Sequence, residues 1–139
     1  MSFLLDTCVL SELTRPRPNP NVVGWFETQE SAALFVSVLT VGEIEKGIAA
    51  LPTGRKKVAL SGWLATLRST YGDRLLPIDA AITAIWGRTV ARVEREGGTL
   101  AVVDGLIAAT ALHHGYTVVT RNVGDFQKTG VALLNAWQT

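Results

Sequence analysis

The chain has 139 residues but only one cysteine, Cys8, so no intramolecular disulfide can form and a cysteine-based zinc site is disfavoured. An excess of charge of either sign is also missing. Thirteen Lys+Arg stand against twelve Asp+Glu, a formal net charge of +1. That balance argues against a uniformly basic coat for nucleic acid and leaves room only for a local basic patch. Charged residues make up just 18% of the chain and apolar ones 47%, which excludes a disordered or solvating segment. No uninterrupted apolar run is long enough to span a bilayer. The opening MSFLLDTCV lacks a basic leader and Asp6 cuts its apolar stretch, so it does not read as a signal peptide. With no repeat, low-complexity tract or linker, the expectation is a single cytoplasmic domain over residues 1–139. A chain of that length can bury its own core.

What is present are apolar runs of two periods. Short β-rich runs lie at Phe3–Leu5, Leu34–Ser37, Leu75–Ile78, Thr117–Thr120 and Val131–Leu134. Helical stretches lie at Asn21–Thr28, Thr40–Ala50, Arg55–Thr70, Ala80–Glu96 and Gly105–His114. Strands that alternate with helices and are themselves nearly continuous apolar runs indicate a mostly parallel sheet buried on both faces. The fold class is therefore α/β, a doubly wound three-layer α/β/α sandwich. Pro77 makes the third strand short or an edge strand, and Gly115 ends a helix before TVVT. The RPRPNP segment (Arg15–Pro20) reads as a stiff connection outside helix and sheet.

Acidic residues embedded in apolar sequence are the informative ones. Asp6 follows FLL at the C-terminal end of the first strand, where open α/β sheets bind ligands. It is equally placed to cap a short following helix. Asp104 shares a helical stripe with Ile107, Ala108 and Ala111 in the most apolar stretch of the chain, and capping is again the alternative. Thr40 and Glu43 have the spacing of a capping box, while periodicity places Glu45 nearer the buried stripe than Glu43. Asp125 follows the fourth strand as either a turn residue or another acid at the strand-end crevice. Asp79 reads as the N-cap of the helix after it. If Asp6, Glu43 and Asp104 converge with Asp125 nearby, like charges share one cleft and require protons or a metal. An all-oxygen set suits Mg²⁺ or Mn²⁺, and such ions serve phosphodiester hydrolysis.

Four segments in order, LLDTCVLSEL, TVGEIEKG, VDGLIAATALHHG and VVTRNVGDF, resemble PIN-domain ribonucleases of the VapC/FitB type, the toxin half of type II toxin–antitoxin pairs. The likeness covers nearly the whole chain. It implies a PIN-like fold, an endoribonuclease activity and Mg²⁺ (Mn²⁺ as substitute) held by Asp6, Glu43 and Asp104, with Glu43 preferred to Glu45. Asp125 or Asn122 supplies the fourth position, and Thr7, Ser11 and Thr120 support the site. The resemblance further implies a homodimer, a cognate antitoxin that contacts promoter DNA, and a structured RNA substrate such as tRNA or rRNA; no membrane is involved. Cys8 stands where small polar residues are common and is read as a buried, inert thiol.

Arg15, Arg17 and Arg121 lie close to the proposed site in sequence and are candidate RNA contacts. The GRKK run (Gly54–Lys57) reads as a solvated helix start in which phosphate contact is the less common role. Trp25, Phe26, Trp63 and Trp86 suit core packing or a groove for an antitoxin helix, and the sequence does not choose. His113 and His114 end a helix without a catalytic role. An aspartate phosphatase would want a second acid two residues after Asp6, where Cys8 stands. No G-x-x-x-x-G-K-[ST] loop exists for a nucleoside triphosphatase. The competing reading is a catalytically inactive PIN-like module that binds protein or nucleic acid.

Overall fold

The computed structural model describes residues 1–139. Five short strands form one sheet: β1 (Phe3–Leu5), β2 (Leu34–Ser37), β3 (Leu75–Leu76), β4 (Thr117–Val119) and β5 (Leu133–Leu134). Their order is β3-β2-β1-β4-β5, and every neighbouring pair is parallel. Seven α-helices connect and cover them: α1 (Thr7–Leu13), α2 (Pro20–Glu27), α3 (Val38–Ala49), α4 (Arg55–Tyr71), α5 (Ala80–Arg95), α6 (Val102–His114) and α7 (Val123–Phe126).

Alternation along the central strand divides the core in two. Phe3 and Leu5 point to one face, where they join Val36 and Val119 under Val9, Val22, Ile44 and Leu67 of α1 to α4. Leu4 points to the other face with Val118, under Ile107, Ala108 and Ala111 of α6 and Phe126 of α7. Helix α5 packs on α6 and buries Ile82 and Val93. Burial from both sides is why all three residues of β1 are apolar, and the expected three-layer sandwich is the one observed.

Several boundaries differ from the sequence reading, each for a local reason. Helix α3 begins two residues early because Ser37, not Thr40, is its N-cap; the Ser37 hydroxyl accepts from the Leu39 N–H at 3.0 Å. The expected capping box is therefore absent, and the Thr40 hydroxyl is buried without a partner. Helix α6 starts at Val102, behind an Ala101 that has no capping side chain, so Asp104 lies in its first turn and is not its cap. Pro20 belongs to α2 and not to the connection before it; it occupies the first helical position, where its missing N–H costs nothing. Strand β3 ends before Pro77 and is an edge strand, as expected. Strand β5 is shorter than expected, and α7 was not expected at all, because four residues are too few for a periodic signal. The Asp79 cap is as expected, accepting from Ile82 N–H at 2.9 Å.

Candidate active site

Because all five strands are parallel, their C-terminal ends share one edge of the sheet. Leu5 of β1 is in register with Val119 of β4, so the residues that follow, Asp6 and Thr120, come side by side. The Asp6 N–H continues the ladder to Val119 O at 3.0 Å, and the Thr120 hydroxyl donates to Asp6 Oδ2 at 2.9 Å. Asp6 also caps α1, with Oδ1 accepting from Thr7 N–H at 2.9 Å. The two roles left open for Asp6, strand-end acid and helix cap, are thus held at once.

Glu43 enters from α3. Its Oε1 accepts from the Thr7 hydroxyl at 2.7 Å, so Thr7 links the first two acids, one through its amide and one through its hydroxyl. Glu45 is not on the buried stripe: it is exposed and pairs with Arg68 of α4 at 3.0 Å. Asp104 is half-buried in the first turn of α6 and lies within range of the other acids' charges. Burial pushes its carboxyl above the usual range, and the charges of Asp6, Asp125 and Glu43 push it further the same way. Burial likewise raises Asp6, with a contribution from Glu43, against the opposing hydrogen bonds from Thr120, Thr7 and Cys8. Asp104 is therefore within electrostatic reach of residues 6, 43 and 125, and Asp6 of Glu43, although all are far apart in sequence.

No three His, Cys, Asp or Glu side chains are gathered closely enough to enclose an ion by themselves. A closed, all-protein cage is thus not what the cleft offers. An open set of carboxylate oxygens in strongly negative surroundings fits Mg²⁺, which keeps several waters and is commonly bound through one or two carboxylates.

The remaining candidates differ in their ties to this cluster. Asp125 sits in the first turn of α7, exposed, and its charge reaches Asp104. The Asn122 side chain is exposed; its backbone N–H donates to the Thr120 hydroxyl at 3.0 Å. Ser11 makes no side-chain bond to the acids but lines the same cleft as Thr7 and Glu43. Arg15 lies 3.5 Å from Glu12, and Arg17 is exposed. Arg121 holds its guanidinium over the Trp137 ring at 5.6 Å.

Three functional placements escaped the sequence reading. Cys8 is half-buried, not buried, and is tied into the site: its thiol lies 3.7 Å from both Asp6 Oδ2 and Thr120 Oγ1 and accepts from Arg121 N–H at 3.4 Å. Burial pushes that thiol up, away from the reactive thiolate. Glu12 is buried and accepts from Asn19 N–H at 3.0 Å, anchoring the Arg15–Pro20 connection beside the cleft. Gly105, directly after Asp104, leaves room for Trp86. A Cβ there would come within 3.0 Å of the indole, so the glycine allows α5 to seat against the start of α6. A V-D-G triplet at a helix start was the available signal for that close approach.

Comparison with known proteins identifies relatives of the whole chain. A PIN domain family model matches residues 3–131. The toxin FitB of Neisseria gonorrhoeae is 38% identical over 136 residues, covering 97% of this chain and 98% of that protein. The VapC ribonuclease Y4jK of Sinorhizobium fredii is 32% identical over 137 residues, covering 98% of each. The structure of FitAB bound to an IR36 DNA fragment contains a chain that superposes with a TM-score of 0.93 at 38% identity, over 97% of this chain and 95% of that one.

Proposed function

The chain belongs to the PIN-domain family, and from that premise we propose that it is a metal-dependent endoribonuclease, the toxin of a type II toxin–antitoxin pair. The observation that carries the catalytic part is the convergence at the C-terminal edge of the sheet of Asp6 and Glu43, bridged by Thr7, with Asp104, whose carboxyl feels the charges of both and of Asp125. Asp6, Glu43 and Asp104, with Asp125 or Asn122, are the side chains that would hold Mg²⁺, with Mn²⁺ as a substitute, one or two of them directly and the rest through the waters the ion keeps. When bound, the ion supplies a water of lowered pKa and offsets charge developing on the attacked phosphate.

The chain itself contributes orientation and charge. Thr120 and the Thr7 amide fix the two oxygens of Asp6 and favour its ionised form, offsetting part of the effect of burial. The Thr7 hydroxyl holds Glu43 toward the same cleft. Arg121, fixed through its backbone beside Cys8, is positioned to meet a phosphate or an acid of the antitoxin. On this reading the protein works in the cytoplasm as a homodimer, cleaves structured RNA such as tRNA or rRNA, and is silenced by an antitoxin through which alone it reaches promoter DNA.

Purified protein freed of antitoxin, incubated with structured RNAs, is expected to cleave with Mg²⁺ or Mn²⁺ and to stop on adding EDTA. Asp6→Asn and Asp104→Asn are each expected to lower kcat/KM by about a hundredfold or more, the scale of several kcal/mol of lost transition-state stabilisation. RNA left intact by wild-type protein under all these conditions would favour the inactive binding module.

A further inference from the structure

Arg121 directly follows Thr120, whose hydroxyl holds Asp6, and its side chain is exposed. The backbone there is pinned on both sides. Arg121 N–H donates to Cys8 Sγ at 3.4 Å, and Asn122 N–H donates to the Thr120 hydroxyl at 3.0 Å. An exposed cation beside uncompensated carboxylates is ordinarily drawn onto one of them. Arg121 is not: it forms no ion pair, and its guanidinium lies over the Trp137 ring, 5.6 Å from the centre.

That ring is a fixed platform. Trp137 lies in a short 3-10 turn (Ala136–Gln138) and is half-buried against the core. Its N–H donates to Asn135 Oδ1 at 2.9 Å, and its carbonyl accepts from Asn21 Nδ2 of α2 at 2.8 Å. A guanidinium stacked by its face keeps its N–H donors free at the edge, in the fork that matches a phosphate. Stacking also removes in advance part of the rotamer freedom that a long side chain loses on binding. An RNA held at the acids by a metal-bound phosphate carries further phosphates on either side, and Arg121 is one residue from Thr120, on which that site is built. We infer that Trp137 is a positioning residue: it holds the Arg121 guanidinium off the acids and presents its edge to a phosphate of the bound RNA. The inference rests on the ribonuclease reading and adds to it a residue remote from the acids in sequence.

A double-mutant cycle tests the coupling. Full-length protein in EDTA is titrated with a fluorescein-labelled stem–loop RNA and followed by anisotropy at several salt concentrations. Arg121→Ala is expected to raise Kd roughly tenfold and to flatten the slope of log Kd against log salt by about 0.7–0.9, one phosphate contact. Trp137→Leu is expected to raise Kd about two- to fivefold, the scale of one exposed cation–π contact, with the slope kept because the cation remains. The double variant should bind no more weakly than Arg121→Ala alone. Trp137→Phe, which keeps a ring face, should lose less than Trp137→Leu. Asn21→Ala, at an exposed position that loosens the turn without touching the core, should raise Kd about twofold, and only while Arg121 is present. With Mn²⁺ and a cleavable RNA the same pattern is expected in KM. A loss in Trp137→Leu or Asn21→Ala that is as large without Arg121 as with it would make the turn merely structural and overturn the inference. Unchanged RNA affinity in Arg121→Ala would overturn it too and leave the guanidinium to a protein partner. RNA neither bound nor cleaved by wild type would instead sink the ribonuclease reading and the inference with it.

Discussion

Both oxygens of the Asp6 carboxylate already have donors, yet burial and the neighbouring Glu43 still push its pKa up, and Asp104 is pushed the same way. A carboxyl that binds its proton more tightly when folded stabilises fully below its unfolded pKa, and that stability is lost as pH rises through the raised value. The metal-free protein is therefore expected to lose stability as pH climbs from below the ordinary carboxylate range through the raised one. Asp104→Asn is expected to flatten that fall and to raise Tm in EDTA at neutral pH, as calorimetry would show. Asp6→Ala is expected to differ: it removes a helix cap and takes the carboxylate acceptor from the buried Thr120 hydroxyl, costing about 1–2 kcal/mol despite the relieved repulsion. Asp6 was legible in the sequence because a lone charge interrupts an apolar run at a strand end. Glu12 was not, because it lies in an ordinary LSEL stretch and is buried only when the residues around Asn19 fold back over it.

Among the elements, the strand-to-helix alternation was readable because buried parallel strands have no polar face, and β1 and β2 begin and end where their apolar runs do. Helix starts were harder. Ser37 closes β2 and opens α3 in one residue, so its capping role was hidden inside a strand, and Thr40–Glu43 imitated a box. The choice of Glu43 over Glu45 came from resemblance alone; both are exposed, and what separates them, Glu43 on the Thr7 hydroxyl and Glu45 on Arg68 of α4, is tertiary contact that periodicity does not reveal. Two caps of similar strength allow structure and site to be separated. Ser37→Ala is expected to cost about 1–2 kcal/mol and to reduce cleavage, since the start of α3 sets the reach of Glu43. Asp79→Ala is expected to cost about 1 kcal/mol through α5 while leaving kcat/KM unchanged well below Tm. Urea denaturation alongside RNA cleavage rates for both variants checks the contrast.

For the molecule as a whole, a dication that binds only the folded cleft links metal and stability by mass action. At about a hundred times its Kd the ion is expected to add about 2.7 kcal/mol. Tm followed against Mn²⁺ concentration should rise accordingly in wild type, fall back on adding EDTA, and respond weakly in Asp104→Asn. The two outermost strands, β3 and β5, have only two residues each, and Pro77 directly follows the first. So short a rim presents few free backbone groups to a newcomer, and proline removes one donor more. The sheet cannot be lengthened sideways into a neighbouring molecule, so copies of this chain that join must do so through helical flanks, and fibrillar stacking by strand addition is closed to it.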